Sequence, residues 1–119
     1  MAKAVPDGEQ LLQIANRISA LNRECFGKGP ARARAYREGD FLFVVLEGGF
    51  IDAEETLVRH EHHDGVRAFR EAFQKVMGAE IRRLVEDVLG VAVIDSMSQV
   101  LTRTNVVVEI FQLEPSSRS

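Results

Sequence analysis

The densest run of side chains able to do chemistry is His60-Glu61-His62-His63-Asp64. On a single helix, His60, His63 and Asp64 would share a face at i, i+3 and i+4, a spacing that can present imidazole and carboxylate to zinc or nickel. Structural metal sites usually need four ligands, and the lone cysteine, Cys25, lies far away in sequence. The competing reading, and the favoured one, is a polar, solvated connector beside Gly65.

A second constellation is Gly27-Lys28-Gly29-Pro30 followed by Arg32 and Arg34. Backbone N–H groups of a tight turn, with basic side chains beside them, can hold an anion such as bicarbonate or phosphate, or a protein or nucleic-acid contact. Lys28, Gly29, Arg32, Arg34 and Tyr36 are therefore candidate anion- or partner-binding residues. This is no phosphate loop, because the spacing G-x-x-x-x-G-K-[ST] is absent and the glycines follow a helix where that motif precedes one. A capping turn beside a solvated strand is the plainer account. Arg32, Arg34, Tyr36 and Arg37 also form a basic stripe with one aromatic, the minimum for stacking and phosphate contact on a sheet. With one tyrosine, no tryptophan and a net charge of −3, nucleic acid is a disfavoured partner.

The remaining ionisable groups suggest packing and solvation. Cys25 continues an apolar stripe near a helix C-terminus, where the dipole disfavours a thiolate. Glu54, Glu55, Glu80, Glu86 and Asp87 are expected on outer helical faces. Phe69 and Phe73 are expected in the core. No residue is assigned a catalytic role, no cofactor is expected, and an enzymatic activity is left open but disfavoured.

The elements that must position these groups are legible from periodicity. Asp7 with Gln10 suggests an N-cap, and Leu11, Ile14, Ala15, Ile18, Leu21 and Cys25 recur at helical spacing up to Gly27, predicting a helix over 9–26. Residues 32–37 alternate basic or aromatic with alanine, and 40–47 are apolar at nearly every position, which predicts a hairpin turning at Glu38-Gly39 and closed by Gly48-Gly49. Asp52 with Glu55 repeats the capping signal before a short helix over 53–61, interrupted at Gly65. A sustained stripe from Val66 to Leu89, ended by Gly90, predicts a long helix with Gly78 as its weak point. Residues 91–95 suggest a strand, 96–104 a polar loop, and 105–113 a Val-rich strand with Glu109 on the same side as Val107, Phe111 and Leu113. Residues 1–8 and 115–119 are expected to be frayed tails.

The halves correspond weakly. Ile18, Leu21 and the Phe26-Gly27 stop, then a hairpin ending in FLFVVLEG, mirror Ile81, Leu84 and the Leu89-Gly90 stop, then a hairpin ending in VVVEIFQL. The expected fold is α+β, in the order α-β-β-α-α-β-β: a four-stranded antiparallel sheet of two hairpins with helices on one face. Its open face and strand edges suit a partner, and a homodimer is the simplest cover.

At 119 residues, 45% apolar and 28% charged, the chain is sized and balanced for one folded domain. A single cysteine excludes an internal disulfide and points to a reducing compartment, so a cytoplasmic location is expected. The first residues lack the apolar run of a signal peptide. The longest apolar stretch, 41–46, falls far short of the ~20 residues a membrane-spanning helix needs, so any membrane connection would run through a partner or the surface.

The order NRECFGKGPARARAY, FVVLEGGFIDAEETLV, VRAFREAFQKVM and VVVEIFQLE resembles the MpsC-type family, formerly a domain of unknown function. The resemblance covers roughly 14–114, with Gly27, Gly29, Pro30, the run Val44 to Gly48, and Glu55 to Leu57 as its best markers. It implies an association with sodium-coupled generation of membrane potential or inorganic-carbon transport, as an accessory to a membrane transport subunit and not as the ion path. A polar Asp-Asn-His-like stretch frequent after the third strand of that family is replaced here by Asp95-Ser96-Met97-Ser98-Gln99, and no catalytic residue is carried over.

Three functions therefore stand open: an accessory or regulatory binding module, a nucleic-acid-binding sheet using Arg32, Arg34 and Tyr36, and a metal sensor or small metalloenzyme using His60, His63 and Asp64.

Overall fold

The computed structural model describes residues 8–115. The cap expected of Asp7 and the tails expected at 1–7 and 116–119 lie outside the described residues. Gly8 is not frayed but opens the first helix. The elements are α1 (Gly8–Phe26), β1 (Arg32–Glu38), β2 (Phe41–Glu47), α2 (Asp52–Arg59), α3 (His63–Leu89), β3 (Val93–Leu101) and β4 (Val106–Leu113). All strand pairs are antiparallel and the sheet order is β1-β2-β4-β3. This is the α+β fold expected from the periodicities.

The order places the second strand of each hairpin at the centre and the first at an edge. At that central seam Val44 faces Glu109, and these two residues occupy the same position in the corresponding runs FLFVVLEG and VVVEIFQL. A local two-fold axis therefore passes between them. The helices obey the same symmetry: Gly27 N–H donates to the Arg23 carbonyl and Gly90 N–H to the Glu86 carbonyl, each at 2.8 Å. Both glycines are left-handed, with φ of 79° and 73°, the conformation that ends a helix most cheaply without a Cβ.

One face of the sheet carries Leu42, Val44, Leu46, Val107, Phe111 and Leu113, which bury against Ile14, Ile18 and Leu21 of α1 and Met77, Ile81, Leu84 and Val85 of α3. These helical residues recur every three or four positions, so each helix turns one stripe inward. Burying such side chains stabilises by roughly 1.5–3 kcal/mol each before entropy is counted.

Three expectations are corrected. Residues 96–101, expected in a polar loop, belong to β3; an edge strand needs no continuous apolar run, and the small Ser96, Ser98 and Val100 alternate with Met97, Gln99 and Leu101 along it. The cap of α2 is not Asp52 with Glu55: Ile51 is the N-cap, and its N–H donates to Glu54 Oε1 at 2.9 Å. Gly65 does not interrupt anything, because α3 starts at His63 and runs unbroken through Gly65 and Gly78 for about 40 Å.

Candidate binding surface

Among the described residues, no element covers the face of the sheet turned away from the helices. Strand register arranges it in four rows of four, one residue per strand. The first is Arg32, Glu47, Val106 and Leu101. The second is Arg34, Val45, Val108 and Gln99, the third Tyr36, Phe43, Ile110 and Met97, and the fourth Glu38, Phe41, Gln112 and Asp95. Val45, Val106, Val108, Phe43 and Ile110 are half-buried only by their neighbours in the sheet, while Tyr36 (47%), Phe41 (43%), Met97 (57%) and Leu101 (47%) are exposed. Rows of β-branched and aromatic side chains form stable sheets, yet such a face exposed to water is a feature of interaction sites. A shallow depression of about 160 Å³ opens in it between Phe41, Met97, Ile110 and Gln112.

Of the residues expected to bind an anion or partner, Arg32, Arg34 and Tyr36 lie together along the β1 edge of this face. Arg32 is within 4.0 Å of Glu47, a loose and exposed pair. Arg37 leaves the stripe, since it points to the opposite side by alternation and its Nε donates to the Gly39 carbonyl at 2.8 Å. Lys28 instead donates from Nζ to the Phe50 carbonyl at 2.9 Å, and Gly29 packs beside the Arg23 guanidinium. The loop therefore serves as a brace between α1 and the exit of β2.

The histidine run does not form one helical face. His60 caps the end of α2, Glu61 is left-handed with φ of 63°, and His63 and Asp64 begin α3. His63 Nδ1 lies 2.7 Å from Thr102 Oγ1 and its Nε2 lies 3.2 Å from Glu61 Oε1, so the ring ties α3 to the β3–β4 turn. Among the described residues, no group of three His, Cys, Asp or Glu is placed to hold a metal ion.

Two carboxylates expected on outer helical faces, Glu54 and Glu86, are instead drawn inward to different depths. Glu54, expected on an outer face, is only 2% exposed; its two oxygens receive Arg70 Nε at 2.6 Å and Nη2 at 2.7 Å. Arg70 Nη2 also donates to the Gly49 carbonyl at 3.0 Å, and its guanidinium stacks 4.0 Å from the Phe26 ring centre. Phe26 in turn packs with Phe69 and Phe73, which are half-buried at the rim of the core. A fork-shaped, bidentate pair with a further carbonyl acceptor is a form in which buried charge is tolerated. Glu86, also expected outside, is half-buried and accepts the Val93 N–H at 2.8 Å.

Glu109 sits on the helix-covered face of β4, where its neighbours on the strand are apolar; that contrast was visible in the sequence. Gln74 Nε2 of α3 donates to its Oε2 at 2.8 Å, and Ser98 stands opposite it on β3. Burial pushes its carboxyl above the ordinary range, with the Gln74 amide, the Ser98 hydroxyl and the Arg70 charge acting in the other direction. Cys25 is likewise pushed up, by burial first and then by Glu24 and Glu80, which keeps it a thiol.

Residues 7–115 match the family described as Na+-translocating membrane potential-generating system (MpsC). The chain belongs to the MpsC family. No curated protein and no solved structure matches it. The MpsC match spans both hairpins and all three helices, so the rows of the uncovered face lie within it. Among the described residues of this MpsC chain, no helix is long and apolar enough to cross a membrane.

Proposed function

We propose that the chain is a non-enzymatic accessory module of a sodium-translocating, membrane-potential-generating or inorganic-carbon transport system, working by docking to protein through the uncovered face of its sheet. One observation carries this reading: Val45 and Val108 at the centre of one row and Tyr36, Phe43, Ile110 and Met97 across the whole of the next form a continuous apolar and aromatic patch on the uncovered face. The buried ionisable groups support it from the other side. Arg70 and Glu54 are held in a buried bond that joins α3 to α2, closed to solvent on both sides.

The same face weighs against nucleic acid. Its cations, Arg32 and Arg34, share it with Glu38, Glu47 and Asp95, whereas a nucleic-acid surface concentrates positive charge along the backbone track.

The test is the size of the complex in extracts of the native cells. Wild-type chain should migrate in an assembly larger than itself, and a native membrane fraction should yield a transport subunit with it. Ile110→Glu and Met97→Glu should release the free chain with unchanged far-UV circular dichroism. Variants that stay in the assembly would overturn the docking role, and a membrane fraction without transport subunit would overturn the accessory role.

A further inference from the structure

The uncovered face is complementary to itself in one orientation. Consider a second copy stacked on it by a two-fold axis lying between the sheets and running across the strands. Each strand then lies over its own counterpart, and the rows are reversed, the first over the fourth and the second over the third. Arg32 comes over the partner's Glu38, Arg34 over the partner's Tyr36, Val45 over the partner's Phe43, and Val108 over the partner's Ile110. In the same outer rows Glu47 comes over the partner's Phe41 and Leu101 over the partner's Asp95, with Arg103, in the turn after β3, at that end of the face.

The alternative axis, along the strands, keeps the rows and exchanges the edges. It sets Glu38 over the partner's Asp95 twice, leaves Arg32 over Leu101, and pairs no opposite charges in the outer rows. Like charges brought together across an interface are strongly unfavourable, so charge selects the first axis. Size matching selects it as well, since branched Val45 and Val108 meet the larger Phe43 and Ile110, giving the interdigitation that sheet-on-sheet packing requires.

We infer that the partner on this face is a second copy of the chain, stacked sheet to sheet about a two-fold axis across the strands, with Arg32 paired to the partner's Glu38. This rests on the docking role proposed above and names its occupant. Four strands about 4.8 Å apart and seven residues of about 3.4 Å give a face of about 450 Å² in projection. Two such faces bury on the order of 1,000 Å² once side-chain relief is included, near the lower bound for a specific interface, so the dimer should be reversible.

Sedimentation equilibrium of the purified chain tests this, with Ile110→Glu, Arg32→Glu, Glu38→Arg and the double charge exchange. The wild type should show a concentration-dependent mass approaching twice that of the 13.3 kDa chain. Ile110→Glu should be a monomer. Each single reversal places two like-charge contacts in the dimer and should weaken it about tenfold or more, and Arg32→Glu with Glu38→Arg together should recover most of that loss. A dimer that disregards both reversals, or a double exchange no tighter than the singles, overturns the orientation. A wild-type monomer at high concentration, while the native complex still depends on Ile110, overturns the second copy and leaves the docking role standing. A dimer indifferent to Ile110→Glu overturns the second copy on this face, and a native complex equally indifferent to it overturns the docking role as well.

Discussion

Val44 and Glu109 face each other across the central pair of strands, at equivalent positions of the two halves, and both are buried under the helices. One half of the duplicated pattern thus places a valine where the other places a carboxylate. The core tolerates that carboxylate because Gln74 reaches it from α3, and its raised pKa has a consequence for stability.

For an acid whose folded pKa is raised, the folded state holds the proton more tightly than the unfolded state. Its contribution is fully present below the unfolded value and is lost as pH rises through the folded one. Glu109→Gln keeps an acceptor for Gln74 and removes the ionisation. Thermal unfolding followed against pH should show the variant more stable than wild type at neutral pH, with the difference shrinking as pH falls toward the ordinary carboxylate range. A difference constant across that range would refute the role assigned to the carboxyl.

The Arg70 and Glu54 pair should behave as a buried ion pair. Arg70→Ala or Glu54→Ala leaves one charge uncompensated and should cost about 3–5 kcal/mol in urea unfolding. Arg70→Met with Glu54→Leu should cost clearly less than the two alanine variants summed, because no lone charge remains. Arg70→Lys should also be costly, since an ammonium cannot span both oxygens and the Gly49 carbonyl.

The two helix stops should respond alike. Gly27→Ala and Gly90→Ala each force a Cβ into left-handed backbone, and nothing lies within 4 Å to clash with it. The cost should therefore be backbone strain alone, about 1–2 kcal/mol at each site. A large inequality between the two in chemical denaturation would show that the halves do not share this feature energetically.

Zinc offers a direct check on the histidine run. Because His60 ends α2 and His63 is held by Thr102 and Glu61, added zinc should leave the melting temperature of untagged protein unchanged. A stabilisation abolished by His63→Ala would restore the metal reading.

Much of the fold was legible because its signals are local. Helical stripes, the Gly27 and Gly90 stops and the hairpin turn at Gly39 depend on neighbours in sequence, and the repetition of the pattern then gave the sheet its four strands. The polar half of β3 was hidden because edge strands are held by backbone bonds, which composition does not record. Glu54 looked like a solvated helical carboxylate for a similar reason: its partner Arg70 lies on the next helix, and no spacing rule links them. The stripe of Arg32, Arg34 and Tyr36 was visible on one strand, but the apolar rows they border come from alternate residues of three other strands, so the surface exists only once register is known.

The seam between β2 and β4 is the one line of sheet hydrogen bonds joining the two ribbons, and the chain crosses between them through α2 and the long α3. That crossing is what lets a molecule close upon itself. Were it too short to fold back, β2 would be left with a bare edge, and a neighbouring molecule's β4 would be the matching strand to cover it. The same bonds would then hold two chains in mutual exchange.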